Sequence, residues 1–324
     1  MLFRSFGKLL WMRLPLGIYI IYFLIVLLFF FTKKKQILYL YLFLLSIHFF
    51  FPYLEKTNYI QFIDVGQGDC ILVSLNGKNI LFDGGSTDVA NVGKYRIMPS
   101  LKYLGIKRID IITVSHFDTD HVNGIIEMLE SMNENFEIGK IVIPDVTGLE
   151  NKENAILITN LCNEKGVKME KINAGMNLYN KDCTITCLHP VKNYKYDDPN
   201  DYSASYLINY NKYKMLTIGD AESNGENEIV NNAAKLGVNI SNINCLKVGH
   251  HGSKTSSTQK FLDATNPRIG LISCGVNNRY NHPSEITLEK LSKIKCKYYI
   301  TSRVGQIKIN VDKKGKFRVS TFLL

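Results

Sequence analysis

The chain offers no disulfide framework. Its seven cysteines, at 70, 162, 183, 187, 245, 274 and 296, are odd in number and scattered, without a CxxC pair, which argues against a cross-linked scaffold. Cys183 and Cys187 lie four apart in an expected strand, so they share a face and read as buried free thiols. There is no low-complexity linker and no repeat of fixed short period, so an array or a string of small domains is excluded. Charge is absent from "LPLGIYIIYFLIVLLFFFT" (14–32), a run long enough to cross a hydrocarbon core as a helix. After "KKK", "QILYLYLFLLSIHFFFPYL" (36–54) is a second such run. No small-residue cleavage site follows, and the runs are too long for a cleaved signal peptide. Two transmembrane helices in a 1–57 membrane anchor are expected.

The formal net charge is +10. Residues 1–57 hold seven cations (Arg4, Lys8, Arg13, Lys33, Lys34, Lys35, Lys56) and one acid, Glu55, leaving 32 basic against 28 acidic residues beyond. Most of the bias therefore belongs to the anchor, where it meets anionic headgroups. The remainder permits a phosphate-bearing partner without demanding one.

From Tyr59 onward the pattern changes to short β runs broken by Gly, Asn and Asp, among them "YIQFIDV", "CILVSL", "NILFDGG", "IDIITVS", "GKIVIPD", "YKMLTIGD" and "RIGLISCG". Helical stretches alternate with them: "VGKYRIMPSLKYLG", "NGIIEMLESM", "NKENAILITNLCNEKGV" ending at Gly166, "ESNGENEIVNNAAKLG", "SSTQKFLDATN" with Ser256 as N-cap, and "SEITLEKLSKI". The near-continuous apolar character of "IDIITV" suits a strand covered on both faces. Layered α/β architecture in one domain, 58–324, is the simplest account.

Against this background "SHFDTDHVNG" (115–124) stands out. It places His116, Asp118, Asp120 and His121 within six residues at a strand end. Imidazole nitrogen and carboxylate oxygen suit zinc, manganese or iron. In a loop, residues two apart can converge on one ion, while the adjacent pair Asp120 and His121 turns to a second. More residues of the same kind end other strands: Asp83 in "ILFDGG", Asp220 in "MLTIGD", His250 in "CLKVGH"; His282 lies in "NRYNHP". Strand ends in such folds gather at one edge, where sites form.

These residues resemble the metallo-β-lactamase fold, in which "LFDGG", "SHFDTDHVNG", "TIGD" and "GHHGS" occur in this order. Within it, "FIDVGQGDC", "SHFDTDHVNG", "NDYS" sixteen residues before "GD", "LKVGHHGSKTSS" and "NNRYNHPS" resemble the hydrolase domain of ComEC-type DNA-uptake proteins, over about residues 58–324. The resemblance implies an αββα sandwich and two divalent metal ions, zinc or manganese. It makes His116 and Asp118 ligands of the first ion and Asp120, His121 and His250 ligands of the second, with Asp220 bridging. Asp83 holds the metal loop from behind, and Ser203 stands where the wider fold has a further histidine. Asp118 also replaces a histidine of the wider fold, and Asn123 and Asn281 stand where glycine is usual.

The function expected from all this is a membrane-anchored, metal-dependent phosphodiesterase acting on DNA. Asp120 and His282 are the catalytic candidates, His282 by binding phosphate or protonating the leaving group. His251 is placed behind His250, which lies nearer the strand end, although the reverse order is the alternative. Gln67, Asp69, Ser203, Asn278 and Arg279 are expected to position substrate. Ser253 and Lys254 precede a helix N-terminus that would favour a phosphate. A different ester, amide or thioester substrate, or a non-catalytic membrane-bound scaffold, are the competing readings. The expected partners are membrane lipid through the helices and a nucleic-acid substrate, with nothing pointing to a specific protein partner. Only two apolar helices precede the domain, so a tethered hydrolase, outside the cytoplasm, is expected rather than a DNA-conducting channel.

Overall fold

The structure, a computed structural model, describes residues 16–54, 58–180, 183–193 and 198–323. Arg4, Lys8, Arg13, Glu55 and Lys56 of the expected anchor lie outside them. The chain divides into two compact units.

The first is built on a helical hairpin, Leu16–Thr32 and Lys35–Leu54. Lys33, at φ 51°, makes the reversal, and its N–H bonds to Phe29 O at 2.8 Å. The Tyr22 hydroxyl donates to Leu44 O at 3.0 Å and its ring meets Tyr41 edge to face at 5.8 Å. Phe23, Phe30, Phe31, Tyr39 and Phe43 are 61–77 % exposed. Among the described residues no helix is long and apolar enough to cross a membrane.

The second unit is the expected αββα sandwich. One sheet runs, in spatial order, Phe317–Thr321, Ile307–Val311, Tyr59–Phe62, Ile71–Leu75, Lys78–Phe82, Ile111–Thr113, Lys140–Pro144 and Lys168–Ile172. The other runs Lys297–Ile300, Ile269–Ile272, Cys245–Lys247, Tyr213–Thr217, Ser205–Tyr210, Cys183–His189 and Asn177–Asn180. Side-chain alternation sends half of each strand inward: Ile60, Phe62, Val73 and Phe82 meet Tyr206, Ile208, Met215 and Leu271 between the sheets. The opposite faces are covered by helices. Leu207, Leu216, Leu246 and Ile272 lie under Ile229, Phe261, Leu262 and Leu291, and helix Thr119–Glu130 buries Val122, Ile125, Met128 and Leu129. All seven cysteines are free and buried, with Cys183 and Cys187 on the inner face as expected.

What positions the site is strand direction. Lys78–Phe82, Ile111–Thr113 and Lys140–Pro144 are parallel neighbours in the first sheet. Tyr213–Thr217, Cys245–Lys247 and Ile269–Ile272 are parallel in the second. Their carboxyl ends release Asp83, His116, Asp220, His251 and Ser273 at one edge of the sandwich, where α/β folds place ligands.

Candidate metal centre

The helix after the metal loop starts earlier than its sequence pattern indicates, at Thr119, with Asp118 at the N-cap position. Asp120 and His121 therefore belong to its first turn, not to the loop. That turn is clamped by the loops ahead of it. Gly84 N–H bonds to His121 O at 2.8 Å, Asp69 N–H to Asp120 O at 3.1 Å, and Gly85 N–H to Asp69 O at 3.1 Å. A Cβ on Gly85 would fall 2.5 Å from His121 N and from Thr119 O, so only glycine permits this approach.

Two imidazoles are oriented from behind. His121 Nδ1 lies 3.0 Å from Asp83 Oδ2, while Asp83 Oδ1 accepts the Ser115 N–H at 2.7 Å. His251 Nδ1 lies 2.9 Å from Ser273 O. Each partner is an acceptor, so each Nδ1 carries a proton and leaves Nε2 as the atom a metal would take on displacing its proton, the usual arrangement behind a metal-binding histidine. Both Nε2 atoms are buried without a hydrogen bond. They converge with two carboxylates: His121 Nε2 is 3.3 Å from Asp220 Oδ2, and His251 Nε2 is 3.2 Å from the same oxygen and 3.3 Å from Asp120 Oδ2. Asp120, His121, Asp220 and His251 each offer one atom within 4.8 Å of the others, the separation a cation needs.

The charge balance points the same way. Asp69, Asp83, Asp120 and Asp220 crowd this region against one buried ammonium, Lys247, and buried carboxylates demand compensation. Burial alone would depress the His121 imidazole, yet Asp220 and Asp83 outweigh it and hold it well above the usual histidine range. His251, buried but facing Asp220 and Asp69, is carried up to about 10. Four nitrogen and oxygen donors, two of them orphaned Nε2 atoms, fit a divalent metal of the zinc or manganese kind.

The order of His250 and His251 is the reverse of the sequence expectation. His251 is buried in the cluster. His250 is 24 % exposed, 3.8 Å from Asp220 Oδ2, with Nδ1 3.0 Å from Glu222. Both residues take left-handed backbone angles, φ 45° and 53°, so the loop turns inward one residue later than the strand end suggests. His116 is buried beside His121, ring centroids 4.1 Å apart. Its Nδ1 lies 3.1 Å from Ser115 Oγ, its Nε2 is 3.8 Å from Asp118, and burial with the His121 charge presses it down to about 3. It and Asp118 form a pair but do not join the four-residue cluster.

Several expected substrate groups turn out to be supports. Gln67 is buried, its Oε1 accepting the Gly275 N–H at 3.2 Å. Asp69 lies beneath the site, ion-paired to Lys247. Ser203 is buried, its Oγ accepting the Asp220 N–H at 3.1 Å and lying 3.4 Å from His116 Nδ1. Asn278 holds the His282 loop, accepting the His282 N–H at 2.9 Å and donating to Gly275 O at 3.0 Å. Ser253 Oγ pairs with Thr255 Oγ1 at 2.8 Å. Asn123 turns its amide to Ser86, and Asn281 takes φ 55°, the left-handed geometry asparagine tolerates.

The expected phosphate seat at Lys254 is already filled from within. The helix starts at Gln259 with Thr258 as its cap, and Ser256 instead donates to Gly249 O. The free amides of Ser257 and Thr258 donate to the buried Glu226 carboxylate at 2.5 and 2.9 Å. Burial raises Glu226 to about 7 against those donors. Its folded pKa exceeds its unfolded one, so its contribution is full below about 4.5 and is lost as pH rises through 7. The stability difference between the natural chain and Glu226→Gln should therefore shift by about 3 kcal/mol between those limits, read from metal-free unfolding curves. A flat difference would contradict this.

A groove of about 360 Å³ opens beside the cluster, lined by Asp118, Asp120, Lys152, Asn154, Arg279 and Tyr280. The Arg279 guanidinium lies 4.7 Å over the Tyr280 ring. His282 stacks on Tyr280 at 5.6 Å and lies 5.5 and 6.3 Å from His250 and His251. Its Nδ1 is buried without a partner, and burial together with those imidazoles pushes it down to about 4. Arg279 thus lines the groove beside the cluster. Lys152 and Lys247 were not anticipated, although a lysine inside the apolar run "INCLKVG" was a visible signal.

Comparison with known proteins agrees with this geometry. Residues 63–132 match the model of the metallo-beta-lactamase superfamily. The chain is 28 % identical over 291 residues to ComE operon protein 3 of Bacillus subtilis (strain 168), covering 85 % of this chain and 35 % of that protein. It is 28 % identical over 263 residues to Recombination protein 2 of Haemophilus influenzae, covering 80 % and 30 %. It thus spans about a third of the length of these relatives. The solved structure of a CmlA beta-hydroxylase mutant shares the fold, with a TM-score of 0.51 at 11 % identity over 78 % of this chain and 54 % of that one. The chain carries a metallo-beta-lactamase hydrolase fold and is related to the competence proteins of the ComEC family.

Proposed function

We propose that this protein is a divalent-metal-dependent phosphodiesterase acting on DNA, held at a membrane by its N-terminal hairpin. The observation that carries the reading is the convergence of two unpartnered buried Nε2 atoms with Asp120 and Asp220. His121, His251, Asp120 and Asp220 would hold one ion. His116 and Asp118 would contribute to a second, with Asp220 shared. Bound there, such ions polarise a phosphoryl oxygen and lower the pKa of water.

The protein's own groups do the rest. Arg279 and Lys152 flank the groove as cations for the phosphate oxygens, Arg279 with a planar fork suited to bidentate contact. Tyr280 offers a face on which a base can stack. His282, neutral at neutral pH, keeps one N–H to donate to the phosphate or to the leaving oxygen. The bare apolar faces of the hairpin supply the support for a lipid setting.

The test is to purify the full chain in detergent, load it with manganese or zinc, and offer single-stranded DNA, duplex DNA, a chromogenic phosphodiester and a β-lactam. Turnover of the diester and of DNA is expected to vanish with chelator and to fall on the order of a thousandfold in Asp120→Asn. Preferred turnover of the β-lactam, or DNA cleavage that survives in Asp120→Asn, would sink the proposal.

A further inference from the structure

The groove at the metal edge sets two cations, Arg279 and Lys152, beside its carboxylates, few for the many remaining phosphates of a long nucleic-acid strand. A polyanion needs cations elsewhere, and the sandwich concentrates them at its far edge. A cleft of about 540 Å³ there is lined by Lys212, Asn244, Arg268, Lys314, Lys316 and Phe317, with no acidic side chain in its wall. Asn244 and Arg268 stand just before Cys245–Lys247 and Ile269–Ile272, the strands whose opposite ends lead to His251 and Ser273. The cleft and the metal cluster therefore lie at opposite edges, and no cleft residue can reach a phosphate under attack.

The cleft is a built feature. Two hairpin turns meet to form it, and a Cβ on Gly315, at φ 77°, would fall 2.7 Å from Lys212 N. The nearby acid, Asp312, spends its Oδ1 on the N–H groups of Lys314 and Lys316, both at 2.8 Å. Arg268 rests its guanidinium 5.5 Å over the Phe317 ring, a cation–π contact that holds it in the cleft wall. Lys212, Lys314 and Lys316 are exposed and form no ion pair among the described residues.

The geometry points to a second nucleic-acid contact in this cleft, which grips the phosphate backbone of a strand at a distance from the bond being cut. This rests on the DNA reading above and adds a site separate from the metal edge. Lys212, Arg268, Lys314 and Lys316 supply phosphate contacts, the positively charged groove by which single strands are held without sequence preference. Only strands long enough to reach both edges gain from it.

The test measures binding of labelled single strands to the full chain in chelator, where no cleavage occurs. Strands of about four and about twenty nucleotides are compared, site sizes that bracket a typical single-strand groove. The natural chain is expected to bind the longer strand much more tightly. In Arg268→Gln/Lys314→Gln/Lys316→Gln the longer strand should bind at least about tenfold more weakly, with the salt slope reduced by roughly 2, while turnover of the small chromogenic diester, which does not reach the cleft, stays as in the natural chain. Turnover of the chromogenic diester, measured separately, reports the metal edge, so its absence would strike the hydrolase reading and leave this binding result to stand or fall alone. An unchanged slope in the triple variant overturns the inference. So does a variant that keeps its hold on the long strand but loses affinity for acidic phospholipid vesicles, since the chain enters this unit at Asn58 on the same edge, where Asn58 O accepts the Val311 N–H.

Discussion

His251→Ala is expected to abolish divalent-metal binding and to lower phosphodiester turnover on the order of a thousandfold, whereas His250→Ala should cost about tenfold. His251 places its Nε2 3.2 and 3.3 Å from the oxygens of Asp220 and Asp120, and its other nitrogen is fixed by Ser273 O. Removing it takes away one of four donors, and a ligand lost from such a cage costs several kcal/mol of charge stabilisation. His250 leans on Glu222 and stands 3.8 Å from Asp220, so its loss resembles the removal of a group that supports a ligand, typically 10–100-fold. Titration calorimetry with manganese reads the binding and the chromogenic diester reads the turnover. A His250→Ala protein that loses metal while His251→Ala keeps it would restore the order expected from the strand end.

That reversal shows where sequence reasoning stops. The HxDxDH run, Asp83 and Asp220 were legible because polar residues at the ends of apolar strands have few structural uses, and parallel strands bring such ends together. Choosing between two adjacent histidines requires backbone angles, and the left-handed pair at 250 and 251 leaves no trace in residue type. Gln67, Ser203 and Asn278 were misplaced for a similar reason. Each is a polar residue near the site, but hydrogen bonding to loops makes it a support and not a contact. The strands Lys168–Ile172 and Asn177–Asn180 escaped notice because both are sheet edges. Their sequences "KMEKI" and "NLYN" carry the charges and amides that protect an edge from further pairing and so lack an apolar signature. The hairpin was foreseen as two helices from apolarity alone, since two uncharged runs on either side of "KKK" leave few other structures open to them.

Lys247→Met should destabilise the metal-free chain by about 3–5 kcal/mol, the cost of leaving a buried charge without its partner. The ammonium is wholly buried, donates to Gly219 O at 2.7 Å, lies 3.2 Å from Asp220 Oδ1 and pairs with Asp69. Burial disfavours its charge, yet Asp69 and Asp220 prevail and hold it well above the ordinary lysine range. Lys247 is thus the built-in cation that lets two carboxylates approach each other before any metal arrives. Methionine fills the same volume and leaves Asp69 and Asp220 facing each other unbalanced. Because Asp69 has no hydrogen-bond donor besides the Lys247 ammonium, Asp69→Asn in the same chain should recover part of the loss. Chemical unfolding in chelator measures both. Repeating it with manganese adds a second readout, for a bound dication supplies the missing positive charge, so metal should stabilise Lys247→Met more than the natural chain. If the variant unfolds at the natural midpoint in chelator, Lys247 does not balance the site and its burial must be explained by packing alone.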